Sequence, residues 1–213
     1  MSDTPSKTPT ISSTAALIER SVAAGEHELL EKALRALLLE KSVIDADQLA
    51  YYRAEVDTRG PFLGASLAAR AWTDANFKTF LLDAPKEAVY EHLGIRISQG
   101  PEFIVLANTP TVHHVIVCTL CSCYPKAILG LPPEWYKSFA YRSQMVVEPK
   151  AILAEFGTHL PDDVEIRVVD STADMRYMVL PMRPAGTEDM TVEQLQVLIT
   201  RDNLIGVTLP TLS

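Results

Sequence analysis

The sequence predicts an α+β chain in which a helical N-terminal region, residues 26–95, precedes an α/β domain, residues 96–213. Three observations carry this. Up to Gly94 the apolar residues recur at helical spacing, beyond it they gather into short β-branched runs, and Pro, Gly and Asn turn signals separate those runs. Residues 1–25, rich in Ser, Thr and Pro, read as a mobile arm.

Order is expected from Glu26 onward. Leu29, Leu30, Ala33, Leu34, Leu37 and Leu38 share a helical face, and the pairs Glu28/Lys32 and Glu31/Arg35 set opposite charges one turn apart on the polar side. Asp45 with Gln48 has the spacing of a capping box and opens a second helix to about Val56. Pro61 and Gly64 are expected to break the pattern ahead of Leu67-Ala68-Ala69-Arg70-Ala71-Trp72. A helix over 74–82 follows, and another begins at Pro85, a good first-turn residue, and stops at Gly94. Residues 103–106 and 115–117 then read as buried strands divided by the turn Asn108-Thr109-Pro110. Pro132-Pro133-Glu134 introduces a short helix, and residues 149–156 form another that ends at Gly157. Residues 164–169, 177–180 and 204–208 are expected to be three more strands, with a helix capped by Thr191 and Gln194 between the last two.

Composition narrows the function classes. With 213 residues and 47% hydrophobic content the chain can bury one substantial core plus an appendage, and no apolar run is long enough to span a membrane. A formal charge of -8 with scattered Lys and Arg argues against a nucleic-acid partner. Residues 1–9 lack the continuous apolar core of a secretory leader, so the expected compartment is the reducing cytoplasm.

The chemistry concentrates in Cys118-Thr119-Leu120-Cys121-Ser122-Cys123, which holds all 3 cysteines of the chain. A disulfide between any two of them would close a loop too small to restrict the unfolded chain much, and one sulfur would remain over. Clustered thiols in a reducing compartment point instead to metal or redox chemistry. Zinc would need a fourth ligand from His113, His114 or a carboxylate. A thiol redox site is a second reading. In a third, deprotonated peptide nitrogens of Ser122 and Cys123 complete the coordination, which demands a strongly Lewis-acidic ion such as trivalent cobalt or iron. In each case the cluster begins where a strand ends, a rigid place from which to present a loop.

Other conspicuous residues have structural explanations. Alternation along a strand sends one of His113 and His114 inward and the other outward. Trp72, Trp135 and Tyr136 are expected to be packing anchors, Arg167 and Arg176 to lie on solvated strand faces, and Asp162-Asp163 to form a polar turn.

The run Val117-Cys118-Thr119-Leu120-Cys121-Ser122-Cys123-Tyr124-Pro125, followed by Leu129-Gly130-Leu131-Pro132-Pro133-Glu134-Trp135-Tyr136-Lys137, resembles the alpha subunit of nitrile hydratase. The similarity continues through Tyr141-Arg142-Ser143, Met175-Arg176-Tyr177-Met178 and Thr200-Arg201-Asp202-Asn203, covering about residues 30–209. The resemblance implies a layered α-β-β-α catalytic domain and a non-corrin, non-haem metal held by the sulfurs of Cys118, Cys121 and Cys123 and the backbone nitrogens of Ser122 and Cys123. It implies an axial thiolate at Cys118, a sulfinic acid at Cys121, a sulfenic acid at Cys123 that takes part in catalysis, and a supporting role for Gln99. Thr119 at the second motif position implies Co(III), where serine would imply Fe(III).

Hydration of a small-molecule nitrile to its amide is the implied reaction. A beta-type subunit, whole or split into two chains, is the implied partner, supplying arginines to the oxidised sulfurs and closing the pocket. Lys126 stands where nitrile hydratases usually carry tryptophan. A basic residue there is similar to thiocyanate hydrolase, whose gamma subunit is the alternative assignment; a non-catalytic zinc module is the alternative from another class.

Overall fold

The computed structural model describes residues 24–97, 100–120 and 123–212, with the backbone alone for 24–27. The expected arm up to residue 23, and with it Gln99, Cys121 and Ser122, lies outside the described residues. The chain divides into two units, Met1–Ile44 and Asp45–Ser213. The first is described through helix α1 (Ala24–Glu40), where Lys32 pairs with Glu28 at 2.7 Å and Arg35 with Glu31 at 3.0 Å. Leu29, Leu30, Leu34 and Leu37 on this helix are exposed.

The second unit opens with α2 (Ala46–Asp57), where the Asp45 carboxylate caps the Gln48 N–H at 2.9 Å. Helix α3 (Pro61–Thr73) corrects one expectation, since it runs unbroken through Gly64. The glycine serves packing rather than termination: a Cβ there would stand 2.7 Å from Leu129 Cδ2 and 2.8 Å from Leu204 Cδ1. Without a side chain at this position α3 can lie close to its neighbours, which offsets the modest helix cost of glycine. Helices α4 (Ala75–Asp83) and α5 (Pro85–Leu93) follow, the first capped by Asp74 and the second closed by Gly94 at φ 68°.

Four strands form two parallel pairs. Strand β1 (Glu102–Ala107) pairs with β4 (Met175–Leu180), and β2 (Val112–Val117) pairs with β3 (Glu165–Asp170). Between β2 and β3 lie α6 (Lys126–Leu129), α7 (Glu134–Lys137), α8 (Phe139–Val147) and α9 (Pro149–Glu155), the crossover that parallel pairing requires. After β4 come α10 (Val192–Val197), with the expected Thr191/Gln194 capping box, and α11 (Arg201–Ile205). Helices α4 and α5 pack on β1, β4 contacts β2, and α8 and α9 pack on β2 and β3 respectively. That order is the α-β-β-α layering of an α+β fold. Leu67, Leu81, Ile116, Met178 and Leu204 are fully buried within its core.

The last expected strand, 204–208, is the second correction. Its first residues end α11, because Thr200 and Asn203 form a second capping box and Gly206, at φ 91°, turns the chain out of the helix. Leu204, Ile205 and Val207 are buried, so an apolar run read as a strand is a buried helix end. Gly206 also meets β2 closely: a Cβ there would stand 2.0 Å from the His114 carbonyl oxygen.

Candidate metal centre

Cys118 directly follows the C-terminal end of strand β2, and the short helix α6 begins at Lys126, shortly after Cys123. Cys118 is fully buried and Cys123 is 9% exposed, whereas Thr119 and Leu120 between them face solvent. Two sulfur donors therefore sit at a protein boundary, shielded yet next to open space. Among the described residues no group of three His, Cys, Asp or Glu comes together. Cys121 and Ser122, which would complete the donor set, lie outside them. The residues present fit a soft-ligated metal: Cys118 and Cys123 are both buried, and Tyr124, next after Cys123, carries a buried hydroxyl with no hydrogen-bond partner among the described residues.

Residues that sequence reasoning passed over hold the loop in place. Val117 pairs in register with Asp170, so the end of β3 lies beside the start of the claw. The Asp170 carboxylate accepts from the Thr119 N–H at 3.0 Å and from its hydroxyl at 2.5 Å, and Arg142 donates to the Thr119 carbonyl at 3.2 Å. Behind the loop Tyr124 stacks edge-on against Tyr136, with centroids 5.2 Å apart. Trp135 meets Tyr141 and Phe156, each at 4.8 Å, and the Trp72 indole donates to the Pro181 carbonyl at 2.7 Å, so the expected anchors do pack. Arg167 pairs with Glu165, Arg183 bonds Thr187, and Asp162 pairs with Lys150 on the surface.

His113 points inward and His114 is half-buried, as alternation requires. Their hydrogen bonds define a protonation state. Asn108 Oδ1 accepts from the His114 N–H at 2.8 Å, which turns Asn108 Nδ2 toward His113 Nδ1 at 3.0 Å. His113 Nδ1 is thus an acceptor, and Nε2 donates to the Gly206 carbonyl at 2.7 Å. Burial lowers the pKa of both rings; for His113 the Gly206 bond opposes it, and for His114 the Arg167 charge reinforces it. With both ring nitrogens engaged, His113 has no position left for a metal in this network.

A pH dependence follows. The unfolded chain takes up a proton at each histidine below about pH 6.5 while the folded chain resists, so stability is full above that pH and falls as pH drops toward the folded pKa values. Urea unfolding from pH 8 to pH 5 is expected to show this decline, with a smaller slope in His113→Asn. Equal slopes for the two proteins would overturn the neutral assignment of His113.

Comparison with known proteins identifies the family. The family model for the nitrile hydratase alpha chain matches residues 25–208. The low-molecular weight cobalt-containing nitrile hydratase subunit alpha of Rhodococcus rhodochrous is 52% identical over 181 residues, 84% of this chain and 87% of that protein. Thiocyanate hydrolase subunit gamma of Thiobacillus thioparus is 43% identical over 196 residues, 87% of this chain and 80% of that protein. Among solved structures, a double mutant of the Fe-type nitrile hydratase from Comamonas testosteroni Ni1 superposes with a TM-score of 0.79 at 43% identity, covering 86% of this chain and 90% of that one. The chain belongs to the nitrile hydratase alpha-chain family. It is thus a subunit of the enzyme class that adds water to a nitrile.

Proposed function

We propose that this chain is the metal-binding subunit of a cobalt-dependent nitrile hydratase. The observation that carries the reading is the cysteine claw that begins at the end of β2, with Cys118 and Cys123 buried and Thr119 and Leu120 at the surface. Cys118, Cys121 and Cys123, with the peptide nitrogens of Ser122 and Cys123, would hold Co(III); Fe(III) is the alternative for the same donors. A bound trivalent cation supplies Lewis acidity toward the nitrile nitrogen or a water. The chain's part is to keep the sulfurs shielded, to leave one side of the loop open, and to carry at Cys123 a sulfenate oxygen that attacks the nitrile carbon or activates water. Cys121, as sulfinate, tunes the donor set, and Gln99 supports it from outside the ligand shell.

A beta-type subunit, one chain or two, closes the pocket in this reading, and the exposed leucines of α1 are consistent with a chain that works in a hetero-oligomer. No described helix is long and apolar enough to cross a membrane, which suits the cytoplasmic placement proposed for this enzyme. One observation favours thiocyanate hydrolysis as a second reading: Lys126 is exposed at the first position of α6, shortly after Cys123, where a cation can meet an anionic substrate.

Metal analysis with intact mass tests the proposal. Protein made with cobalt available is expected to carry about one cobalt per chain, a sulfinic acid at Cys121 and a sulfenic acid at Cys123. Stoichiometric zinc with three unmodified thiols in an active sample would overturn it.

A further inference from the structure

Two buried phenols grip the backbone on either side of the claw. Tyr141, on α8, donates its hydroxyl to the carbonyl of Ile116 at 2.7 Å, on the strand that enters the claw. Tyr136, on α7, donates to the carbonyl of Cys123 at 2.8 Å, at the claw's exit. Their rings lie 5.9 Å apart, are 0% and 3% exposed for Tyr136 and Tyr141 respectively, and are locked among Tyr124, Trp135 and Phe156.

We propose that Tyr136 and Tyr141 are positioning residues that fix the span between the entering and leaving limbs of the claw, and so set its affinity for cobalt. The physical reason is preorganisation. Three sulfurs within six residues can meet one ion only if both ends of the turn are held near the bound geometry beforehand; otherwise ordering the loop detracts from binding. Helices α7 and α8 are contiguous, separated only by Ser138, and carry the two tyrosines on one short rigid element. A single aromatic block thus ties down both limbs. Anchoring of Thr119 by Asp170 and Arg142 sets the outer side of the loop and is independent of the phenols.

The proposal rests on the metal reading above, and its test separates the two. Reduced, metal-free full-length chain is titrated anaerobically with Co(II), following the thiolate-to-cobalt charge-transfer absorption, for the unsubstituted protein, Tyr136→Phe, Tyr141→Phe and the double variant. Phenylalanine preserves the ring packing and removes only the hydrogen bond. Each single variant is expected to bind cobalt about tenfold more weakly, the scale of one lost buried hydrogen bond, with an altered absorption envelope. Thr158→Val is the control, since its hydroxyl makes a comparably buried bond to the Val207 carbonyl at 2.8 Å elsewhere in the fold. It is expected to lower Tm with cobalt affinity unchanged. Should both tyrosine variants behave like this control, their role is structural only and the proposal is overturned. An unsubstituted chain that shows no charge-transfer band overturns the metal reading, and the proposal with it.

Discussion

Cys118→Ser is expected to retain no cobalt and to form amide at least about a hundredfold more slowly than the parent, a loss of roughly 3 kcal/mol or more in transition-state stabilisation. The size of the effect follows from ligand chemistry rather than from folding. Cys118 is fully buried directly after β2, so serine occupies almost the same space and leaves the strand pairing with β3 intact. What changes is the donor: a soft sulfur becomes a hard hydroxyl oxygen. Thermal unfolding of the metal-free variant should therefore lie close to that of the parent while metal analysis shows an empty protein. Cys121→Ser and Cys123→Ser are expected to follow the same pattern. Full turnover with bound cobalt in Cys118→Ser would remove the thiolate from the donor set.

The alternation and periodicity of the sequence carried the layered fold a long way because they report directly on burial. Residues 103–106, 115–117, 164–169 and 177–180 are strands because β-branched runs between turn signals have little alternative in a core. The two misread segments have different causes. Gly64 looks like a helix breaker until Leu129 and Leu204, distant in sequence, are known to press on it, which is a tertiary constraint on locally ambiguous chain. Residues 204–208 look like a strand until Thr200 and Asn203 cap a helix there, a local box with Asn in place of the usual Glu or Gln. The claw stood out as a candidate because metal ligation requires particular residue types at close spacing. Asp170, Arg142, Tyr136 and Tyr141 were not read as its supports, because their relation to it depends on the β2/β3 register and on where α7 and α8 pack. Their residue types alone fit ordinary surface and core positions equally well.

Adding a beta-type partner is expected to raise nitrile turnover at least about tenfold over this chain alone, and substrate choice in the complex should follow Lys126. Every proposed ligand belongs to this chain, so cobalt retention and weak hydration are expected without the partner. Leu120 near the start of the claw is nonetheless 89% exposed, and the oxidised sulfurs proposed above would need donors that other chains can bring. Lys126 is exposed on the first turn after the claw, where nitrile hydratases usually place a flat apolar tryptophan. In the proposed pocket an ammonium there would polarise and widen the mouth, and one charge at a few ångströms in a partly wet site contributes on the order of 1 kcal/mol toward an anion. The complex is therefore expected to favour a heteroaromatic nitrile or thiocyanate over acrylonitrile in kcat/KM, and Lys126→Trp to reverse that order by about tenfold. Kinetics on the three substrates, with and without partner, decide the matter. Equal turnover in the two states would overturn the shared pocket, and a strong preference of the parent complex for acrylonitrile would show that Lys126 lies outside the path of the substrate.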